Sequence, residues 1–317
     1  MVHFVGAGSG APDLITLRGA RLLGEADVVI YAGSLVNPEL LTLTKPGCEV
    51  HDSAKLTLEE VIALIERAER EGKTTVRLHT GDPSIYGAVR EQFDALTERG
   101  IDFDVCPGVS SFCGAAAAIP AEYTLPNVSQ TVIITRTAGR TPVPERESIR
   151  SLAAHQATMV LFLSTALTET LQGELLAGGY AAETPAAIVY KATWPEEKIF
   201  RCAVGTLHKT VTENGMKKTA LIVVGGCLGD EYLRSLLYHP DFTARGRHED
   251  RNFCLQPRRL RGSAARSRGA GGGGNRLLRG TAIGRSGLPA ACEGHLPRAL
   301  FVDGCAHLYR RLRYRRA

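Results

Sequence analysis

The segment TTVRLHTGDPSIYGA, residues 74–88, places a strand pattern directly before a glycine turn, and the fold class follows from this order. Gly81 permits an unusual backbone geometry at the carboxyl end of that strand, where open α/β sheets bind ligands. The pair Asp82-Pro83 has two interpretations. It is typical of a helix start, with Asp as the N-cap and Pro in the first turn, and its carboxylate is also suited to hold a cationic or amine-bearing ligand.

A second glycine turn, GAGSGAPDLIT at residues 6–16, follows the first strand pattern of the chain. Gly6, Gly8 and Ala11 match the G-x-G-x-x-G/A pattern of dinucleotide-binding folds. Pro12-Asp13 interrupts the turn where the helix of such a fold should already be running, which counts against a nicotinamide site. A tight strand-to-helix turn explains the glycines, and so does close backbone approach to a different ligand.

The third turn, PGVSSFCGAAAA at residues 107–118, also follows a short strand pattern. Gly108 makes the turn, while Ser110 and Ser111 supply hydroxyl groups and unpaired amides at a predicted helix start. The alanine run is explained by close packing of this helix on a sheet. Because all three turns follow strands of one predicted parallel sheet, they converge on one edge, which predicts a pocket of nucleoside size there.

Strand and helix patterns form two sets between residue 1 and about residue 245. Residues 1–122 alternate strand and helix, which predicts a largely parallel sheet covered by helices. After a turn-rich junction at 123–126, the strand patterns lie closer together, which predicts hairpins and a mixed sheet. We therefore expect an α/β protein of two αβα domains, 1–122 and 123–245, with the active site in the cleft between them. The predicted strands are 2–5, 27–31, 74–78, 103–105, 132–135, 159–163, 186–190 and 220–224; the predicted helices are 14–24, 58–71, 84–99, 110–118 and one that begins at 149–154.

Charge is distributed unevenly along the chain. Residues 247–317 contain 16 Arg, no Lys and four acidic residues, a net charge of +12, whereas residues 1–246 have a net charge of −7. The total of +5 describes neither part, and it gives no reason to expect nucleic-acid binding by the acidic body. No apolar run approaches the roughly 20 residues of a membrane span. No secretory signal is visible at the N-terminus, so we expect a cytoplasmic protein.

The basic tail, residues 246–317, is irregular and rich in Arg and Gly, with no sustained strand or helix period. A poorly ordered segment fits this composition, and so does a basic arm for RNA or acidic partners. We favour a third interpretation, because Arg, Gly and Ala without Lys are what a GC-rich coding region yields when it is translated out of frame. No part in catalysis is expected for the tail.

Residue types that carry acid–base or metal chemistry are scattered. The eight cysteines form no CxxC pair and no zinc-spaced cluster with His, so no metal site is predicted. The Ser, His and acidic residues show no spacing typical of a catalytic triad, and no catalytic residue is assigned. This pattern favours a reaction whose leaving group needs no proton. Methyl transfer from a sulfonium is such a reaction, and positioning and desolvation do most of its catalytic work.

These motifs together resemble the tetrapyrrole methylase superfamily, and within it the precorrin-4 (cobalt-precorrin-4) methyltransferases that act at carbon 11 in cobalamin biosynthesis. GDPSIYGA with PGVSSF is specific to the superfamily, whereas TLPNVSQT, RTPVPE and YKATWPEEK indicate the subfamily. The resemblance covers residues 1 to about 243 and ends where the composition changes. It is carried by VHFVGAGSGAPDLITLRG (2–19), ADVVIYAGSLV (26–36), RLHTGDPSIYGAVREQ (77–92), PGVSSFCGAAAA (107–118), TLPNVSQTVIITR (124–136), GRTPVPE (139–145), VYKATWPEEKIF (189–200) and TALIVVG (219–225).

The resemblance implies a homodimer that binds S-adenosylmethionine in the cleft and methylates precorrin-4 or cobalt-precorrin-4. An electron-rich ring carbon would attack the sulfonium methyl in line and leave S-adenosylhomocysteine, with Asp82 orienting the cofactor rather than acting as a base. Charge alone suggests Arg136 or Lys191 as the residue that steers the macrocycle carboxylates. The residues implied in cofactor binding are Thr80, Gly81, Asp82, Ile85, Ser110, Ser111, Leu163, Ala192, Thr219 and Ala220. Those implied in facing the tetrapyrrole are Gly8, Ser9, Gly10 and Pro12.

Three other functions stay open beside this one. A different precorrin or uroporphyrinogen methyltransferase would share the superfamily motifs. An RNA-binding protein would use the basic tail, and an NAD-linked enzyme would use the first glycine turn. Ser9 is a departure within the favoured subfamily, because relatives usually have Pro there, and it changes the rigidity expected of the first turn.

Overall fold

Residues 1–235 are described by the computed structural model, and they form an α/β fold with two five-stranded sheets. The part up to residue 122 carries the first sheet and is termed the first half; residues 123–235 carry the second sheet and are termed the second half. The basic tail and the last ten residues of the predicted second domain lie outside the described residues. Within residues 1–235, no helix is both long enough and apolar enough to cross a membrane.

The strands of the first half are β1 Val2–Gly6, β2 Val28–Tyr31, β3 Glu49–Asp52, β4 Thr75–His79 and β5 Phe103–Cys106. They pair in parallel in the order β3-β2-β4-β1-β5, as predicted for this half. Strands β1 and β4 are almost wholly buried, as expected of parallel strands with helices on both faces. In the dinucleotide-binding fold β1 lies beside β2. Here β4 lies between them, so that topology is excluded.

The helices of the first half are α1 Leu17–Glu25, α2 Leu58–Arg70, α3 Arg90–Glu98 and α4 Ser111–Ala118. Leu23 of α1 packs on one face of the sheet, while Ile65 of α2 and Leu96 of α3 pack on the other. Helix α2 begins at a capping box in which Thr57 and Glu60 each accept a hydrogen bond from the other's amide. These buried faces fix the position of the sheet edge that carries the glycine turns.

The strands of the second half are β6 Val132–Arg136, β7 Thr158–Phe162, β8 Pro185–Tyr190, β9 Lys198–Ala203 and β10 Ala220–Val224. Their order is β6-β7-β10-β8-β9, with β6 and β7 parallel and the other neighbouring pairs antiparallel. The predicted mixed sheet is therefore confirmed. The sequence patterns do not reveal edge strand β9, because most of its side chains are exposed and form no apolar run.

The two halves share part of their core. One face of the second sheet is covered by α5 Ile149–Ala153, α6 Thr168–Ala177 and α7 Leu207–Glu213. The opposite face packs against α4 of the first half, where Ala115 lies in one buried cluster with Val160, Val189 and Leu221. Packing in this cluster fixes the second sheet against α4, the helix that follows the third glycine turn.

The helix predicted over 84–99 is wrong in its first part, since α3 begins only at Arg90. Residues 83–89 form a tight turn in which Tyr86 adopts a positive φ of 53°. A Cβ on Gly87 would lie 2.2 Å from the carbonyl oxygen of Pro83, so the turn closes too tightly for any side chain there. The Asp-Pro pair consequently starts a turn and not a helix.

Candidate active site

Three glycine turns of the first half meet backbone to backbone at the carboxyl edge of the first sheet. A Cβ on Gly6 would lie 2.5 Å from the Cα of Gly108 and 2.6 Å from the carbonyl oxygen of Gly81. A Cβ on Gly108 would lie 2.2 Å from that same oxygen. Only glycine fits at Gly6 and Gly108, because both distances are far shorter than a carbon–oxygen contact allows. The three turns thus lie together at the predicted edge.

The first turn is tied to the second by backbone hydrogen bonds. The amide of Gly8 donates to the carbonyl of Gly81 at 3.3 Å, and the amide of Gly81 donates to the carbonyl of Gly8 at 3.0 Å. The chain then forms a short 3-10 turn at Pro12–Leu14, and α1 begins at Leu17 rather than at residue 14. The backbone therefore curls over the sheet edge before the helix begins, unlike a dinucleotide-binding turn.

Asp82 holds the second and third turns together. Its Oδ2 accepts a hydrogen bond from the amide of Gly108 at 2.8 Å, and its Oδ1 accepts from the amide of Ser84 at 2.8 Å and from the Ser84 hydroxyl. Burial by itself raises the pKa of Asp82, but these hydrogen bonds outweigh burial and keep the pKa below its usual value. The charged carboxylate is therefore used inside the protein, as a brace between two turns.

A cavity of about 300 Å³ opens between the glycine turns and the second sheet. Its walls are mainly apolar and include the aromatic side chains of Phe162 and Trp194. Thr80 contributes a buried hydroxyl that no residue within 1–235 hydrogen bonds. An unpaired buried hydroxyl costs about 1–3 kcal/mol, so a ligand that bonds to it would bind more tightly. Apolar walls with a few polar groups are typical of small-molecule sites.

Lysine side chains supply positive charge to the lining of the cavity. Lys191 Nζ lies 3.4 Å from Glu196 Oε2 and 5.2 Å from the centre of the Trp194 ring. Lys217 and Lys218 are exposed, and no carboxylate of the described chain forms an ion pair with either. Anionic groups of a ligand would therefore meet unpaired cations at this end of the cavity.

Arg136, the other basic residue suggested from charge, does not line the cavity. Its guanidinium donates hydrogen bonds to the carbonyls of Thr141 and Pro142, each at 2.9 Å. These bonds fix the loop after β6. The suggestion that Arg136 steers a substrate thus has no geometric support, whereas Lys191 does face the cavity.

Two buried basic side chains lie on β4, directly before the second turn. Burial and the nearby charge of Arg77 lower the pKa of His79 to about 3, so its imidazole is neutral at physiological pH. Burial lowers the pKa of Arg77 to about 10, and its guanidinium donates to the carbonyl of Ile30 and to Oε1 of Gln92. Among the described residues, no group of three His, Cys, Asp or Glu side chains could hold a metal ion. The described residues thus offer neither a metal site nor a charged histidine at this sheet edge.

Four residues without the freedom of glycine adopt left-handed backbone conformations around the cavity. They are Leu163, Lys191, Thr193 and Thr219, with φ of 50°, 48°, 67° and 61°. Such conformations are rare for side chains of this size, and for β-branched Thr they are strained. All four lie at or near ends of β7, β8 and β10, so the second half surrounds the cavity with strained strand ends.

Comparison with known proteins identifies the family. The model for Tetrapyrrole (Corrin/Porphyrin) Methylases matches residues 1–208. The chain belongs to this family. A cobalt-precorrin-4 C(11)-methyltransferase from Methanocaldococcus jannaschii is 50% identical over 253 residues, which cover 80% of this chain and 98% of that protein. A precorrin-4 C(11)-methyltransferase from Mycobacterium tuberculosis is 42% identical over 244 residues, 75% of this chain and 97% of the relative.

Solved structures of tetrapyrrole methylases show the same fold. The crystal structure of a cobalt precorrin-4 methyltransferase, a cobalamin biosynthetic enzyme, matches with a TM-score of 0.71 and 48% identity, covering 72% of this chain and 96% of its own. A uroporphyrin-III C-methyltransferase from Thermus thermophilus, solved with S-adenosylhomocysteine, matches with a TM-score of 0.61 and 27% identity, covering 72% and 93%. The two-sheet α/β fold is thus the fold of the family.

The tetrapyrrole methylase cavity brings together half of the residues that the sequence singles out. The other half lie in the turns behind it: Gly81 packs against Ser110, and the amide of Ile85 donates to the carbonyl of Asp82. The side chain of Ser110 makes no capping hydrogen bond to α4, although the residue occupies the N-cap position. The predicted residues that line the cavity are Ser9, Thr80, Ser111, Leu163, Ala192, Thr219 and Ala220; those that do not are Gly8, Gly10, Pro12, Gly81, Asp82, Ile85 and Ser110.

Several residues that line the cavity are not predicted by the sequence patterns. Phe162, Val189 and Leu221 belong to strands and look like ordinary core residues, because the sequence does not show which face of the second sheet meets the cavity. Trp194 carries the one usable signal, since it is the single tryptophan of the chain and lies within the YKATWPEEK motif. A large aromatic residue in a hairpin loop, not in a core strand, is a reasonable candidate for ligand contact.

Proposed function

We propose that this chain is an S-adenosylmethionine-dependent methyltransferase that methylates precorrin-4, or its cobalt form, at carbon 11 of the ring. The observation that carries this proposal is the pair of relatives with that activity in their names, which match at 50% and 42% identity over nearly their whole length. The cavity between the glycine turns and the second sheet supports it, because its apolar walls and few polar groups suit a small-molecule ligand. A family structure solved with S-adenosylhomocysteine supports the choice of cofactor.

The cofactor is proposed to bind in the cavity, between domains 1–122 and 123–245. The residues present fit it: apolar walls suit an adenosyl group, and the unpaired Thr80 hydroxyl offers a hydrogen bond. Lys217 and Lys218 are placed to attract carboxylates. The residues proposed to contact it are Thr80, Ser111, Leu163, Ala192, Thr219 and Ala220, and Asp82 acts on it through the Gly108 turn.

S-adenosylmethionine supplies an electrophilic methyl group, and the protein's part in the reaction is positioning. The glycine turns and the second sheet would hold the two reactants in line, and the apolar walls would exclude water from the reacting carbon. Burial and the charge of Arg77 lower the pKa of His79 to about 3, which makes its imidazole a weak base, and no role in the reaction is proposed for it. The turn at Gly8, Ser9, Gly10 and Pro12 is proposed to face the tetrapyrrole on its outer side.

A homodimer and a cytoplasmic location complete the proposal. The homodimer rests on the resemblance to the family, and the location is the one expected from the sequence. Size-exclusion chromatography with light scattering on the full chain measures the dimer directly, and a mass of one chain at micromolar concentration would contradict it.

The function is tested by incubating the full chain with labelled S-adenosylmethionine and precorrin-4 or cobalt-precorrin-4, followed by mass analysis. We expect a product with one added methyl group at carbon 11 and stoichiometric S-adenosylhomocysteine. Uroporphyrinogen-III in a parallel reaction tests the nearest alternative, since methylation of that substrate alone would assign the chain to a different branch of the family.

The RNA-binding alternative is tested by removing the basic tail. A chain that ends at residue 246 should keep full methyltransferase activity if the tail plays no part in catalysis. Loss of that activity on truncation would overturn this view of the tail, whereas tight RNA binding by the full chain only would favour the alternative. Binding of a nicotinamide cofactor in place of S-adenosylmethionine would overturn the proposal altogether.

A further inference from the structure

The hairpin loop 191–197 touches the first glycine turn across the cavity wall. Thr193 Oγ1 accepts a hydrogen bond from the amide of Ala11 at 3.0 Å and lies 3.1 Å from Ser9 Oγ. One threonine hydroxyl thus bonds both to the backbone and to the side chain of a turn more than 180 residues away in sequence. Both residues of the hydroxyl pair flank the cavity: Ser9 lines it, and Thr193 lies between the lining residues Ala192 and Trp194.

Thr193 is held in a strained conformation. Its φ of 67° is rare for a β-branched residue, and such strain costs of order 1–3 kcal/mol. Its backbone amide donates to Glu197 Oε2 at 2.7 Å, so the loop braces the strained residue from its own side as well. The hydrogen bonds to the first turn therefore act together with Glu197 to stabilise this conformation of the threonine.

The packing around this contact leaves little room for movement. A Cβ on Gly10 would lie 2.2 Å from the Trp194 ring, and a Cβ on Gly114 of α4 would lie 2.8 Å from the Cβ of Ser9. The carbonyl of Gly10 also accepts a hydrogen bond from the buried amide group of Asn37 at 3.0 Å. The first turn is thus contacted from three sides, and from the second half it meets both the Trp194 ring and the Thr193 hydroxyl, of which the hydroxyl forms the hydrogen bonds.

From these contacts we propose that Thr193 is a positioning residue: its hydroxyl, paired with Ser9, clasps the first glycine turn to the second half and sets the shape of the cofactor cavity. The clasp rests on the proposed function, because it presumes that S-adenosylmethionine binds in this cavity. It gives the Ser9 hydroxyl a role in this turn, since that hydroxyl is the side-chain partner of Thr193 Oγ1.

Isothermal titration calorimetry with S-adenosylhomocysteine tests the clasp on the full-length chain. Thr193→Val keeps the β-branch and removes the hydroxyl, and we expect it to raise the Kd about tenfold, which corresponds to about 1.4 kcal/mol. Thr193→Ser keeps the hydroxyl and should restore a Kd close to that of the parent chain. Ser9→Ala should raise the Kd less, because it removes one of the two bonds.

Thr168→Val is the matched control. Thr168 Oγ1 lies 3.1 Å from His208 Nδ1, a side-chain pair wholly within the second half and away from the cavity. This variant should lower the Tm about as much as Thr193→Val while leaving the Kd unchanged. A merely structural role for Thr193 would give both variants the same result, a lower Tm with normal binding.

Each result has a definite meaning. The clasp is overturned if Thr193→Val binds S-adenosylhomocysteine like the parent, or if Thr193→Ser loses as much affinity as Thr193→Val. If the double variant raises the Kd by the product of the two single fold-changes, Ser9 and Thr193 act independently, and their pairing is refuted. A parent chain that binds no S-adenosylhomocysteine would overturn the proposed function and the clasp with it.

Discussion

The two halves of this tetrapyrrole methylase surround one cavity by different means. Where its three turns meet at the cavity, the first half places glycine at the points of closest backbone approach, as at Gly6 and Gly108. The second half places Leu163, Lys191 and Thr219 in left-handed conformations that those residues rarely adopt. The first solution avoids strain, and the second accepts strain that neighbouring contacts must offset. The difference indicates that the Gly6 and Gly108 positions of the first half tolerate no added atom, whereas strain in the second half is open to relief.

The largest effect is expected at Gly108. Gly108→Ala would place a Cβ 2.2 Å from the carbonyl oxygen of Gly81 and should lower the free energy of unfolding by about 3 kcal/mol. Urea unfolding measures this loss. Gly173→Ala in α6 is the control, because no atom lies within 4 Å of the added Cβ, and there the free energy should rise by about 0.5–1 kcal/mol. Equal effects at both positions would refute the close approach of the turns.

Asp82 comes next, because it braces two of these turns. Asp82→Ala removes the acceptor of the Gly108 and Ser84 amides and should lower the free energy of unfolding by about 2 kcal/mol at pH 7. The lowered pKa means that this stabilisation is present above pH 3.8 and is lost as the pH falls further. Asp94→Ala, which breaks an exposed pair with Arg90, should cost less than about 0.5 kcal/mol. A difference between parent and Asp82→Ala that persists unchanged at pH 2 would contradict this account.

A smaller effect concerns the loss of folding stability at acid pH, which we attribute to His79 of the first half. The pKa of His79 is lowered from 6.5 in the unfolded chain to about 3 in the folded chain. Between these two values, the imidazole binds a second proton in the unfolded chain but not in the folded one. His79 should therefore cost the fold about 1.5 kcal/mol as the pH falls from 6.5 to 5. His79→Phe, which keeps a ring beside Phe4, should remove that part of the pH dependence in unfolding titrations. An unchanged slope in the variant would assign the acid sensitivity elsewhere.

The smallest effect tests strain in the second half. Leu163 is 67% exposed and left-handed, so Leu163→Gly should raise the free energy of unfolding by about 0.5 kcal/mol through relief of strain. Leu176→Gly within α6 should instead lower it by about 1 kcal/mol. Loss of stability in both variants would show that Leu163 is not strained, and the contrast between the halves would then fail.

The turns of the first half can be predicted from the sequence because a residue type, glycine, indicates each of them. Gly81 and Gly108 mark turns wherever they occur, and their position after strand patterns puts them on one sheet edge. The same reasoning fails at 84–99, where Asp82-Pro83 resembles a helix start, because Asp82 binds the amide of Gly108 and Tyr86 packs on Phe162, both of them distant in sequence.

Apart from Trp194, the residues that the second half contributes to the site carry no local sequence signal. Nothing in the identity of Thr193 or Leu163 predicts a left-handed backbone, and their intrinsic preference is against it. The resemblance to the family implies a role for Leu163, whereas neither the sequence pattern nor the resemblance points to Thr193.

The amino-acid sequence alone specified two α/β halves, a parallel and a mixed sheet, and three glycine turns at one edge, because periodicity and turn chemistry are local properties. Tertiary structure decided which residues face the cavity, what Asp82 binds, and how Thr193 reaches Ser9. Those outcomes depend on contacts between distant parts of the chain, whose combined free energy outweighs local conformational preference.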